Sequence, residues 1–126
     1  MIIRIDFDSN EAYYVQLCNQ IIYGIANDKI REGDDLPSVR EMADDIGINM
    51  HTVNKAYTIL KQEGYLKVDR RKGAVISIRG DKIVALEELF DDLRMILAKA
   101  ACKGVTADEV HQLVDKIYCD FKKFEE

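Results

Sequence analysis

Leu36-Pro37-Ser38-Val39-Arg40-Glu41-Met42-Ala43-Asp44-Asp45-Ile46-Gly47-Ile48-Asn49-Met50-His51-Thr52-Val53 reads as two short helices and the turn between them. Leu36-Pro37 imposes extended backbone, because proline disfavours helical geometry in the residue before it. Ser38 and Glu41 have capping-box spacing. The serine oxygen can accept from the third helical amide, and the glutamate can reach back to the Ser38 amide. This predicts a helix from about Ser38 to Asp45 with Val39, Met42, Ala43 and Ile46 inward. Gly47 ends it, Ile48 is expected to be buried, and Asn49 is a favoured N-cap. A second helix from about Met50 to Glu63 buries Val53, Ala56, Tyr57 and Leu60, and Gly64 stops it. Only Ile46-Gly47-Ile48 separates the two, the short glycine-bearing connection of a helix-turn-helix.

Outward from this pair the pattern stays regular. Upstream, Met1–Asp6 reads as extended, and Asp8, Ser9 or Asn10 can start a helix. Tyr14, Leu17, Cys18, Ile21, Ile22, Ile25 and Ile30 recur at helical spacing from Glu11 to about Arg31. Downstream, Tyr65–Asp69 alternates like a strand, Arg70-Arg71-Lys72-Gly73 is a basic turn, and Ala74–Ile78 returns. After Gly80, Ile83, Leu86, Phe90, Leu93, Leu97 and Ala100 follow 3,4 spacing, widened by Leu89 and Ile96 into a heptad-like seam. Thr106–Glu109 is a second capping box. Val110, Leu113, Val114, Ile117, Tyr118, Phe121 and Phe124 then share one side of a last helix. The fold class expected is mainly α with a small β-hairpin (α+β): a winged helix-turn-helix over residues 1–80, then a two-helix dimerisation tail over 81–126. Large apolar residues on two short tail helices have little surface of their own chain to cover. Ile83, Leu86, Leu89, Phe90, Leu93, Leu97, Val114, Ile117 and Phe121 are therefore the expected dimerisation residues.

Composition narrows the function. The chain has 126 residues, 48% hydrophobic and 33% charged, as expected for one small globular unit with an appendage. No run approaches a membrane span, and the N-terminus carries no signal-peptide pattern, so the cytoplasm is the expected compartment. Cys18, Cys102 and Cys119 form no CxxC pair, which argues against a disulfide framework or a zinc site. Cys102 and Cys119 read as small core residues. His111 has no second histidine near it. No metal or cofactor is expected, and no nucleophile–base pair or phosphate loop suggests an enzyme. The net charge of −5 argues against nucleic acid until it is mapped along the chain. Ile46–Gly80 carries seven basic residues against Glu63 and Asp69. A local patch matters more than the sum, because salt screens each charge beyond roughly 8–10 Å.

The basic window coincides with the second helix of the pair and the hairpin. A helix of that size fits a DNA major groove, where its N-terminal residues reach base edges. Asn49, Met50, His51, Thr52, Asn54 and Lys55 are the candidates there. Arg70, Arg71 and Lys72 supply charge at the hairpin tip, and Gly73 permits close backbone approach. Tyr57 and Tyr65 read as core rather than as stacking platforms.

Leu36-Pro37-Ser38-x-Arg40-x-Met42-Ala43, Ile46-Gly47-Ile48-Asn49, Thr52-Val53-x-Lys55-Ala56-Tyr57-x-x-Leu60, Glu63-Gly64-Tyr65-Leu66 and Lys72-Gly73 together resemble the DNA-binding domain of the GntR family of bacterial transcription regulators. The resemblance covers roughly Tyr13 to Ile78. The short two-helix tail is similar to the YtrA-type subfamily, in which the tail dimerises the protein. It implies double-stranded operator DNA as partner, with Arg40 gripping the backbone and Met50, His51, Thr52 and Asn54 facing DNA. Ser38, at the start of the same helix, joins the candidates. Met50 and Asn54 stand where many relatives have basic residues, and Val39 replaces the usual Glu after Ser38. The function expected is a sequence-specific regulator, a repressor that binds an inverted repeat as a homodimer. The alternative is a winged helix that binds protein and does not read DNA sequence. A small apolar effector is a further expected partner, in a cavity at the dimer interface between Phe90, Leu93, Leu97, Ile117, Tyr118 and Phe121.

Overall fold

The computed structural model describes residues 2–71 and 73–122. Five helices and one hairpin follow in the order α1 (Tyr13–Ala26), α2 (Val39–Ile46), α3 (Met50–Gln62), β1 (Leu66–Asp69), β2 (Gly73–Ile76), α4 (Lys82–Cys102) and α5 (Ala107–Lys122). This is the mainly α winged-helix architecture with a small β element. The chain divides into two compact units, Met1–Arg79 and Gly80–Glu126. The expectations for Lys72 and Phe124 lie outside the described residues.

The helix pair forms as its ends dictate. The Ser38 oxygen accepts from the Glu41 amide at 3.1 Å, capping α2. The Glu41 carboxylate takes the Ser38 hydroxyl at 3.1 Å, where capping-box spacing predicts the Ser38 amide. Gly47 closes α2 in the left-handed region (φ 75°), its amide donating to the Ala43 carbonyl. A residue with a Cβ pays a steric penalty there. Asn49 Oδ1 accepts from the His51 amide at 2.7 Å and starts α3. Ile48, in the turn, is half-buried rather than enclosed.

The core of the first unit is closed. Leu17 and Ile21 from α1, Met42 and Ala43 from α2, Val53, Ala56 and Leu60 from α3, and Leu66 and Ile76 from the hairpin form one buried cluster. Tyr57 belongs to it, and its hydroxyl donates to the Pro37 carbonyl at 2.9 Å. Tyr65 packs against it, half-buried. Burying each large aliphatic side chain is worth about 1.5–3 kcal/mol, which fixes how α3 and the hairpin are presented.

Other features of this unit also depart from the sequence expectation. α1 stops at Ala26, not near Arg31. Asp28 sits at φ 66°, a conformation its short polar side chain tolerates, and the Ile30 amide donates back to the Gly24 carbonyl at 2.9 Å. Ile30 is still buried, but it folds over Gly24 rather than continuing the helix. α1 starts at Tyr13 with no side-chain cap. Its early turns instead hold the extended N-terminus. Gln16 accepts from the Asp6 amide at 2.8 Å and donates to the Asp6 and Glu11 carbonyls, and Gln20 brackets Arg4 in the same way. Finally, the hairpin is not alone. Asp35 bridges Val75, and the Gly33 and Leu36 amides donate to the Ile76 and Ala74 carbonyls. With partners on both sides, Ala74, Val75 and Ile76 are all buried, so β2 does not alternate. It also ends two residues before Ile78.

The second unit is built differently. The Asp81 side chain caps α4 by accepting from the Ile83 amide at 2.7 Å. Thr106 and Glu109 form a reciprocal capping box at α5: the Glu109 amide donates to the Thr106 hydroxyl, and the Thr106 amide to the Glu109 carboxylate. The Thr106 amide, and then its hydroxyl at 3.1 Å, donate to the Glu109 carboxylate and hold that carboxyl below the usual range. No residue of α4 is buried. Ile83, Leu86, Leu89, Phe90 and Ile96 are all exposed, as are Leu113, Val114 and Ile117 of α5, while Leu93, Leu97 and Phe121 are half-buried. Cys102 and Cys119 are exposed, contrary to the expectation that they fill a core. Each lies two residues past an apolar seam position, a helical step of about 200° that turns it off the stripe.

Candidate nucleic-acid interface

Capping places the candidate side chains. Because Asn49 caps α3 and Val53 and Ala56 enter the core, the residues between them face outward. Met50, His51, Asn54 and Lys55 are exposed and Thr52 is half-buried. Asn49 itself is committed to its cap. Arg40 is exposed on the first turn of α2. Lys55 is more restrained than its neighbours: its ammonium lies 3.9 Å from the centre of the Tyr14 ring. This cation–π contact links α3 to α1 and holds the charge on the flank of α3.

The hairpin delivers its charge by a local device. Asp69 pairs with Gly73 at the turn end of the hairpin. Asp69 Oδ1 accepts from the Arg71 amide at 2.8 Å, and Gly73 takes φ 81°. Arg70 and Arg71 are exposed at the tip. Gly64, the joint between α3 and the hairpin, has φ 88°, and a Cβ there would meet the Arg79 carbonyl oxygen at 2.7 Å. The relative placement of recognition helix and wing therefore hangs on a position that only glycine fills without strain.

Three of the candidates converge. Ser38 from α2, Asn54 from α3 and Gly73 from the hairpin line one groove of about 390 Å³. Thr58, Lys61 and Val68 line it too, and sequence reasoning missed them. The helical repeat could have found two of the three, since Thr58 and Lys61 lie four and seven residues beyond Asn54 on one face. Arg40, Met50 and His51 lie outside this groove.

Two buried groups of this unit are shifted by their surroundings. Burial, reinforced by Glu63, pushes the Cys18 thiol up. Burial, reinforced by Glu41, raises the Tyr57 phenol. No group of three His, Cys, Asp or Glu side chains among the described residues could hold a metal ion. No described helix is long and apolar enough to cross a membrane.

A capped helix-turn-helix with a polar, solvent-facing second helix and a basic wing defines a winged helix-turn-helix DNA-binding protein. Residues 13–76 match the sequence profile of the family described as "Bacterial regulatory proteins, gntR family". The chain belongs to the GntR family of transcription regulators. It is 31% identical over 123 residues to the HTH-type transcriptional repressor YtrA of Bacillus subtilis (strain 168), covering 95% of each chain. Among solved structures it superposes on YtrA from Sulfolobus acidocaldarius with a TM-score of 0.68 at 37% identity, covering 81% of this chain and 99% of that one. A transcriptional antiterminator from Listeria monocytogenes EGD-e superposes with a TM-score of 0.82 at 28% identity, over 96% of this chain and 92% of that one. These relatives place it with the YtrA-type regulators, which are not enzymes.

Proposed function

We propose that this chain is a repressor that binds an inverted-repeat operator as a homodimer. Within each protomer, Arg40 and Ser38 grip the phosphate backbone from α2, and Arg70, Arg71 and Lys72 do so from the wing. Met50, His51, Thr52 and Asn54 face base edges from α3, flanked by Asn49 and Lys55, and Gly73 lets the wing backbone close on the duplex. Phosphate contacts set position and most of the affinity, and the start of α3 sets sequence choice. Twofold pairing puts two recognition helices one helical turn of DNA apart. Ile83, Leu86, Leu89, Phe90, Leu93, Leu97, Val114, Ile117 and Phe121 make the pairing surface.

The single observation that carries this reading is that one unit exposes both the outward-facing start of α3 and an arginine pair at the wing tip. The repressor description of the Bacillus subtilis relative supports the sign of regulation. The exposed apolar faces of α4 and α5 support pairing, since a stripe of that length is not left in water by a stable monomer.

Fluorescence anisotropy tests it, with duplex DNA from immediately upstream of the protein's own gene, a scrambled control and about 50 to 300 mM salt. With about four or five phosphates neutralised per protomer, log K against log salt falls with a slope of about −7 to −9. The upstream duplex is preferred, and Arg40→Ala and Arg71→Ala both weaken it. Absence of binding at the lowest salt would instead favour a protein-binding winged helix.

A further inference from the structure

The groove between α3 and the wing has chemistry that a DNA backbone does not need. Tyr57, Leu66 and Val68 give it an apolar floor. Val68 is 62% exposed in the free protein, an unusual position for a β-branched residue whose strand neighbour Leu66 is fully enclosed. A phosphodiester gains little from such a floor, whereas a hydrocarbon or aromatic group gains in proportion to the area it removes from water. The rim is polar and neutral at Ser38, Asn54 and Thr58. Among the described lining residues Lys61 carries the one formal charge, and the nearby Glu41 carboxylate is taken up by the Ser38 hydroxyl at 3.1 Å. At about 390 Å³ the groove falls within the size range of small-molecule sites.

We infer that this groove is an effector site for a small organic acid, an apolar body carrying one carboxylate that pairs with Lys61. The inference rests on the proposed DNA-binding function, because Ser38, Asn54 and Gly73 belong both to the groove and to the DNA-facing set. A ligand seated there and a duplex on α3 and the wing need the same atoms, so each excludes the other. The two-helix tail then needs no ligand pocket of its own: its apolar seam is taken by the second copy, and the effector acts on the reading head itself. Coupling is reciprocal, and DNA weakens the acid as much as the acid weakens DNA.

The probe is 4-phenylbutyrate, with 4-phenyl-1-butanol as the uncharged body, titrated into ¹⁵N-labelled full-length protein. The expected result is amide shifts centred on Val39, Thr58, Val68 and Ala74. The acid binds about fivefold tighter than the alcohol, the upper end of what one exposed ion pair supplies. Lys61→Gln, an exposed change that leaves the core intact, removes that preference. In a parallel anisotropy titration at low salt, the acid releases the bound duplex. Shifts confined to α4 and α5, or no shifts, overturn the site. Groove shifts with the duplex still bound overturn the exclusion. A free protein that binds no duplex at low salt overturns the functional reading instead, and the NMR titration still decides whether the site exists.

Discussion

In the first 79 residues Leu17, Ile21, Val53, Leu60 and Leu66 are each fully enclosed, while α4 runs 21 residues without burying one. Both units follow the same sequence rule, with large aliphatic residues at helical spacing. They differ in what that spacing meets. α1 and α2 both lay their stripes on α3, and the hairpin closes the end, so the core completes itself within one chain. α4 and α5 carry comparable stripes with good caps at their starts, yet the stripes stay in contact with water. Local signals therefore suffice to make the tail helical, and a closed core needs a further surface, which the proposed function assigns to a second copy.

Matched truncations sharpen this contrast most. Leu60→Ala removes a fully enclosed side chain and lowers the stability of the winged-helix unit by about 2–5 kcal/mol, at any protein concentration, in urea unfolding. Phe90→Ala, at 62% exposure, opens no cavity in the single chain. Its cost falls on pairing alone and grows as the protein is diluted, because oligomer stability follows mass action. If Phe90→Ala lowered the melting temperature equally at all concentrations, the tail would have a core of its own.

Gly64→Ala forces a left-handed residue against the Arg79 carbonyl and costs about 2 kcal/mol in the same assay. It also tilts the wing, so DNA affinity falls while the tail keeps its helicity by circular dichroism. Ser38→Ala removes the α2 cap for about 1 kcal/mol and is felt only in the first unit. The smallest effect belongs to the tail. Hydrogen bonds from Thr106 depress the Glu109 carboxyl, so the stabilisation is fully present above the ordinary carboxylate value of about 4.5 and is lost as pH falls through the depressed one. A carboxyl ¹³C titration of Glu109 shows this, and Thr106→Ala returns the midpoint upward.

Much of this was legible in the sequence, and the reason is local. The starts of α2 and α3 are set by side chains within three residues of the amides they cap, and the end of α2 by a glycine free to turn left-handed, so Ser38, Asn49 and Gly47 could be read without a fold. The end of α1 could not, because Ile30 keeps helical spacing while the chain turns back at Asp28. The strand-like run beside β2 was hidden for a related reason. Gly33-Asp34-Asp35 has loop composition, and its long-range hydrogen bonds are to Ile76, some forty residues away: the Gly33 amide donates to the Ile76 carbonyl and the Asp34 carbonyl accepts from the Ile76 amide. For the interface, residue chemistry at the start of α3 was readable, whereas the groove is made jointly by three elements. Spacing along α3 points to Thr58 and Lys61. It cannot say that Val68 of the wing stands opposite them.

The central claim is that the tail is half of a surface that a second copy completes. Sedimentation equilibrium at micromolar concentration tests it directly, with helicity recorded on the same sample. The account predicts a mass twice the 14.4 kDa of one chain, and a shift to the single-chain mass when Leu93 and Ile117 are both replaced by Asp. A single-chain mass for the unaltered protein, with α4 and α5 fully helical, would contradict it.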